Sequence, residues 1–292
     1  MTIIGEVLKK IALLSIDVED VGHLDYMKAK VDYSMLDGLD CFLDLAKRNN
    51  VPSTLFTLSD LALKAKGELK RAVEEGHEIA LHGTSHKRPL EMTLEEFEAD
   101  CVKGLDEINK HLGLTPVGYR ASCFSLDRER LDILMNHLGF NYDSSRINFD
   151  THPLYGTINM DGFTQVSEFL YRRNGFFEFE MPTISFLGRC LPISGGGYLR
   201  IFPWWLLSFY IKKYIRKNNL FSIYIHPFEL SSLSPPAVRE LDIKTRFRFK
   251  YNIKSVPRKL DKLVNLLKEE GFEFMTCTQA REFYAAEDEL KG

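Results

Sequence analysis

Short apolar runs and helical periodicities alternate along most of this chain. Ile11-Ala-Leu-Leu-Ser-Ile16 is nearly unbroken apolar sequence that ends in acids, which predicts a strand buried on both faces. Leu36 to Asn49 carries apolar residues at three- and four-residue steps and predicts an amphipathic helix. Ser53–Thr57 predicts a strand, Glu68–Glu75 a helix closed by Gly76, and Glu78–Leu81 another strand. Thr93 to Leu112 predicts a long helix, opened by the capping box Thr93-Leu-Glu-Glu96 and closed by Gly113. Val117–Tyr119 then predicts a strand ending at Arg120, Asp127–Leu138 a helix, and Phe140–Tyr142 a strand. A βα alternation of this kind builds a parallel sheet with helices outside it.

From about 148 to 198 the pattern loosens. Phe176-Phe-Glu-Phe-Glu-Met181 alternates like a half-buried strand, and Ser194-Gly-Gly-Gly-Tyr198 predicts a flexible loop that lets backbone approach something closely. That loop has no phosphate-loop lysine, which weakens any nucleotide reading. Trp204–Lys217 predicts a helix and Leu220–Ile225 a strand ending at His226. Residues 231–257, with Pro235-Pro236 and mixed charge, are expected to be an insertion. Leu260–Glu270 predicts a helix capped by Gly271, and Glu273–Thr276 a last strand. The expected fold is a distorted (β/α) barrel of about seven parallel strands, formed by one domain over 1–292 with insertions at about 148–198 and 231–257.

Composition narrows the function classes. The chain has 292 residues, 45% of them hydrophobic and 12% aromatic, enough for a sizeable core. A formal charge of −3 argues against nucleic acid as the main partner. Cys41, Cys101, Cys123, Cys190 and Cys277 are an odd set with no CxxC, so reduced thiols and a cytoplasmic setting, or the inner face of a membrane, are expected. The N-terminus has no signal-peptide pattern, and no uncharged apolar run reaches the ~20 residues that span a bilayer. Ile201–Ile211 has the character of a surface-lying helix with a basic end, so peripheral membrane contact is open, although packing on the barrel is the simpler expectation for both tryptophans.

Chemistry gathers just past the strands. Asp17-Val-Glu-Asp20, His82-Gly-Thr-Ser-His86, Arg120 and His226 each come directly after an apolar run, where α/β barrels carry their sites. Asp17 and Glu19 alternate and share a face. Two histidines four apart, plus a carboxylate, suit a catalytic divalent metal with an open position. A second carboxylate and a third histidine remain to move protons. Arg120 has the geometry to grip a carboxylate and fix its orientation.

Taken together, these segments resemble the polysaccharide deacetylases of carbohydrate esterase family 4, which share a NodB-like homology domain. Leu14-Ser-Ile-Asp17-Val-Glu19-Asp20 is similar to the family's first motif, His82-Gly-Thr-Ser-His86 to its second, Gly118-Tyr-Arg120-Ala-Ser-Cys-Phe124 to its third, and Ile223-Tyr-Ile-His226-Pro-Phe-Glu229 to its fifth. Tyr142-Asp143-Ser-Ser145 stands where the fourth is expected, without the usual aromatic partner. The paired acids are separated by Val18, and Ser122 replaces a usual proline. Asp-Val-Glu-Asp, Ser-Gly-Gly-Gly-Tyr and His-Pro-Phe-Glu together look like a branch involved in surface-glycan biosynthesis.

The resemblance implies a divalent metal, zinc first and cobalt or nickel as alternatives, held by Glu19 (or Asp20), His82 and His86. It implies Asp17 as base, Arg120 as the residue that positions it, and His226 as the acid for the leaving group. Backbone amides of Ser122 to Phe124 are expected near the oxyanion, and Tyr198, Phe124 and Asp20 near the substrate. The implied reaction removes an N-acetyl group from an amino sugar of a polysaccharide, an O-antigen-type glycan or a precursor. A small linear amide or a sugar formamide is the alternative substrate, and an inactive glycan-binding barrel the alternative class.

Overall fold

In a computed structural model, which describes residues 9–23, 33, 36–149, 152–186, 188–232, 243, 247 and 250–289, the apolar run of the first strand is bonded to three other strands of the sheet. In chain order the strands are β1 (Lys10–Val18), β2 (Thr54–Thr57), β3 (Glu78–Leu81), β4 (Gly118–Tyr119), β5 (Tyr142–Asp143), β6 (Thr164–Ser167), β7 (Leu170–Arg173), β8 (Phe176–Phe179), β9 (Thr183–Phe186), β10 (Arg189–Pro192), β11 (Leu220–Ile225) and β12 (Phe272–Met275). The helices are α1 (Asp37–Asn49), α2 (Lys66–Glu74), α3 (Leu94–Leu112), α4 (Arg128–Asn136), α5 (Gly196–Ile201), α6 (Trp204–Ile215), α7 (Val256–Glu269) and α8 (Cys277–Glu289).

The main sheet runs β11-β1-β2-β3-β4-β5-β8-β7-β6, with β12 added on β1. Every pairing from β11 to β8 is parallel, as is β1 with β12. Parallel strands need helical crossovers, which cover both faces, so their residues are buried on both sides. That is why β1, β2 and β11 are buried at successive positions and not alternately. The result is a curled half-barrel of parallel strands, in line with the expected distorted barrel.

The helices obey their sequence signals. Thr93 Oγ1 accepts from the Glu96 amide at 3.2 Å and the Glu96 carboxylate from the Thr93 amide at 2.9 Å, while Gly113 closes α3 at φ 73°. Satisfying two otherwise orphaned donors in this way fixes where α3 begins. On α7, Val256, Leu260, Leu263, Val264 and Leu267 form the buried stripe. Each contributes roughly 1.5–3 kcal/mol of burial, so this face holds the helix on the barrel.

Four expectations are corrected. Residues 196–201 are helical, although the three glycines predict a loop. β8 is buried at all four positions, because Phe177 and Phe179 pack with Tyr142 and Leu170 while Phe176 joins the main core. β6, β7 and β8 form an antiparallel meander inside the segment expected to be irregular. α7 begins at Val256, within the expected 231–257 insertion, of which residues 233–242, 244–246 and 248–249 lie outside those described.

Candidate active site

β11, β1, β2, β3 and β4 are neighbours in the sheet, so the segments that leave β1, β3, β4 and β11 are delivered to one end of it. Glu19 is the meeting point. Its Oε2 lies 2.7 Å from His86 Nε2 and 3.6 Å from His82 Nε2, and its Oε1 lies 3.5 Å from His226 Nε2. Glu19, His82 and His86 are all buried, and one ligand atom from each falls within 4.8 Å of the others.

The histidine pair sits in a loop and not on a helical turn. Gly83 at φ 87° and His86 at φ 65° bend the backbone so that both rings face Glu19. The left-handed conformation is costly at His86, which has a Cβ, and residues held that way cluster at functional sites. Asp100 of α3 anchors the loop by accepting from the Thr84 amide at 3.1 Å, and its carbonyl accepts from Thr84 Oγ1 at 3.1 Å. His82 Nδ1 donates to the Arg120 carbonyl at 2.8 Å, which leaves the Nε2 lone pair facing Glu19. An imidazole so oriented, a second imidazole and a buried carboxylate fit a divalent cation, and Glu19 Oε2 makes no hydrogen bond among the described residues. Burial alone would raise the Glu19 carboxyl, but the charge of His86 first, with the His82 and His226 imidazoles beside it, holds it well below the usual carboxylate range.

Asp17 is the second buried acid. Arg120 Nη1 donates to Asp17 Oδ1 at 2.6 Å and to Ser15 Oγ at 2.9 Å. Arg120 Nε and Nη2 donate to the carbonyl and hydroxyl of Ser144 at 3.1 and 3.0 Å. The guanidinium also lies 3.9 Å from the centre of the Phe56 ring. A cation this enclosed is fixed in place, and it fixes Asp17 with it.

His226 reaches the site from the end of β11. Its Nδ1 pairs with Glu229 Oε2 at 3.2 Å, and the same oxygen accepts the His226 amide at 3.1 Å. Arg200 in turn lies 3.1 Å from Glu229 Oε1. Burial pulls the imidazole pKa down, but the hydrogen bond to Glu229 and the charges of Glu19, Glu229 and Asp17 push it up to about 9. Gly196 has no room for a side chain, because a Cβ there would stand 1.6 Å from Glu229 Oε2. The close backbone approach expected of that segment is therefore met by the start of α5 against Glu229.

Asp143 lies beneath these groups. It accepts from Ser145 Oγ at 2.7 Å and the Ser145 amide at 2.9 Å, and Ser145 Oγ accepts from the Ala121 amide at 2.8 Å. Asp143 thus braces the Arg120–Ala121 backbone from below. It is hydrogen-bonded to the buried Glu178, whose carboxyl is pushed well above the usual range by burial and then by the Asp143 charge. Because the folded value exceeds the unfolded one, the native state keeps a proton that the unfolded chain has released. Stability therefore falls as pH rises from the ordinary carboxylate range through the raised value. Glu178→Gln keeps an acceptor for the Arg146 amide (2.9 Å from Glu178 Oε1) and does not titrate. The variant is expected to melt higher than the wild type by about 2–4 °C for each kcal/mol of repulsion removed. Melting curves across neutral to alkaline pH test this, and a gap that does not widen with pH refutes it.

Other expected site residues lie elsewhere. Asp20 is fully buried, and its Oδ2 accepts from the amides of Gly22 and Tyr33 at 3.4 and 3.3 Å. It holds a turn, and the ligand cluster contains Glu19 in its place. Phe124 is 4% exposed, packed edge-on against Tyr155 and Tyr224, so it serves as wall more than as a contact. The Phe124 amide donates to the Ala121 carbonyl at 2.9 Å, which removes it from the expected oxyanion donors. Tyr198 of α5 stacks on Phe202, the residue that follows the helix. Trp204 is half-buried under Lys262, whereas Trp205 is 71% exposed and overturns the expectation of packing for that ring. Glu229, Arg200, Ser144, Ser145 and Asp100 complete the site, and motif reasoning gives none of them a site role. Only Glu229, three residues after His226, has a legible signal.

Comparison with known proteins divides the chain in two. Residues 31–142 match the polysaccharide deacetylase family model, and residues 144–282 match a domain of unknown function, DUF3473. The peptidoglycan deacetylase of Helicobacter pylori is 31% identical over 118 residues, 40% of this chain and 40% of that protein. This chain thus spans about two fifths of that relative's length. A candidate polysaccharide deacetylase from Mycobacterium smegmatis superposes with a TM-score of 0.58 at 16% identity, covering 96% of this chain and 92% of the other. A carbohydrate esterase family 4 pseudoenzyme from Bacillus anthracis superposes at 0.53 with 14% identity, covering 94% of this chain and 66% of the other. At such identities the likeness establishes the fold, and a pseudoenzyme among the neighbours leaves the chemistry to the residues of this chain.

Proposed function

We propose, for a chain whose residues 31–142 match the polysaccharide deacetylase family model and continue into a matched domain of unknown function, that the site hydrolyses the N-acetyl group of an amino sugar in a glycan. One observation carries the reading: a buried carboxylate within 3.6 Å of three imidazoles, next to an acid clamped by a buried arginine. The two matched segments act as one unit in this reading, since the DUF3473 segment supplies His226 and Glu229.

Glu19, His82 and His86 would hold a divalent cation, zinc in our reading, with cobalt or nickel suited to the same donors. When bound, the cation supplies Lewis acidity toward an acetyl carbonyl and makes solvent water more acidic. Asp17 accepts the proton of the attacking water, and Arg120 keeps the accepting carboxylate in line. His226 donates a proton to the departing nitrogen, which matters because an unprotonated amine leaves poorly. Glu229 fixes Nδ1 of that ring so that Nε2 is the donor, and its charge keeps the imidazole protonated at neutral pH. The C–N bond breaks, and acetate and a free amino sugar leave.

Acetate release from N-acetylglucosamine oligomers, measured after chelation and again after reconstitution with zinc, tests the proposal. Release that depends on metal supports it. Sugar binding without release by the reconstituted protein assigns a binding role, and hydrolysis confined to small linear amides or sugar formamides shifts the substrate class.

A further inference from the structure

The exposed face of α5 and α6 combines features that the site does not use. Ile201, Trp205 and Phe209 are 55%, 71% and 60% exposed. Trp205 and Phe209 lie four residues apart, and Lys212, Lys213 and Arg216, all exposed, continue the same stripe toward the helix end. The opposite stripe, Leu207, Ile211 and Tyr214, is buried against the barrel, so α6 is anchored on one side and apolar on the other. Asn252 Nδ2 donates to the Arg200 carbonyl at 3.0 Å, which places Tyr251, 44% exposed, beside the end of α5.

Charge is segregated here. Between Glu180 and Glu229 the sequence contains no carboxylate, but it carries Arg189, Arg200, Lys212, Lys213, Arg216 and Lys217. Arg200 is paired with Glu229. In a chain of net charge −3, an acid-free stretch of this length is a local cationic surface around a row of large apolar side chains. Aromatic rings flanked by lysine suit the boundary between headgroups and acyl chains, where the rings enter and the lysines extend to anionic phosphate. A second copy of the chain fits less well, since a two-fold contact would set this cationic fringe against its own image. No described helix is long and apolar enough to cross a membrane, so contact would be peripheral.

From the exposed apolar stripe and the acid-free cationic fringe beside it, we infer that the α5–α6 face docks on an anionic lipid bilayer. The position is productive. α5 starts against Glu229 and spans about 9 Å at helical rise, so the docking stripe begins one short helix from the site. A glycan carried at a bilayer surface would meet the site without leaving that surface.

Co-sedimentation of the full chain with phosphatidylcholine vesicles, with and without phosphatidylglycerol, tests this. Binding is expected to phosphatidylglycerol vesicles, to weaken with salt, and to be slight on phosphatidylcholine alone. Trp205→Ser with Phe209→Ser should lower partitioning about tenfold or more, and Lys212→Glu with Lys213→Glu by about fivefold for each charge removed. All four positions are exposed, so melting temperatures should stay at the wild-type value. Failure of the wild type to bind phosphatidylglycerol vesicles, or equal binding by the Trp205/Phe209 variant, overturns the inference. A wild-type dimer in sedimentation velocity that the same variant abolishes, without lipid binding, reassigns the face to a second copy.

Discussion

Replacing His82 with alanine is expected to remove bound metal and hydrolysis together. His82 contributes one of two imidazoles, and its ring is already aligned by the Arg120 carbonyl at 2.8 Å, so no neighbour replaces it. The Lewis acid is worth several kcal/mol of transition-state charge, and its loss should reduce kcat/KM by about 10³-fold or more. Elemental analysis of the purified variant should find far less than one equivalent of metal. Stoichiometric metal in His82→Ala would remove this residue from the ligand set, whatever the activity.

Asp17→Asn separates the base from the ion. Asparagine keeps the shape and an oxygen for Arg120 Nη1, now 2.6 Å from Asp17 Oδ1, but it cannot take a proton at neutral pH. Metal content should remain at the wild-type level while kcat falls about 10²–10⁴-fold, the usual contribution of general base catalysis. Comparing metal content with kcat in the two variants distinguishes the roles: His82→Ala loses both, Asp17→Asn only turnover. A fully active Asp17→Asn would move the base elsewhere.

Much of this site is legible in the sequence because it depends on strand ends. Runs such as Ile11–Ile16 and Leu220–Ile225 announce strands buried on both faces, and polar residues just beyond them must lie at one edge of the sheet. That places Asp17, Glu19, His82, His86, Arg120 and His226 together before any distance is known. The groups that escape are those whose role depends on packing between distant segments. Ser144 and Asp100 look like ordinary polar residues until Arg120 and Thr84 are set against them. Asp20 looks equivalent to Glu19 because both are acids after β1, and only the turn formed by Gly22 directs its carboxylate to amides. The glycine run misleads in one respect: residues 196–201 are helical, and Gly196 answers to the Glu229 carboxylate while Gly195 answers to the Tyr224 ring. Apolar neighbours predict packing for Trp205, but a helix with two apolar faces can bury only one against the barrel.

Arg120 takes hold of both halves of the chemistry at once, through its carbonyl to His82 and its guanidinium to Asp17. The spacing between His82 and Asp17 is therefore set by one residue at the end of β4, not by two loops that drift separately. Thermal motion there would carry both groups in the same direction and leave their separation intact. If the proposed hydrolysis holds, sequence change around the rim would alter which sugar is accepted while the distance between ligand set and base is kept.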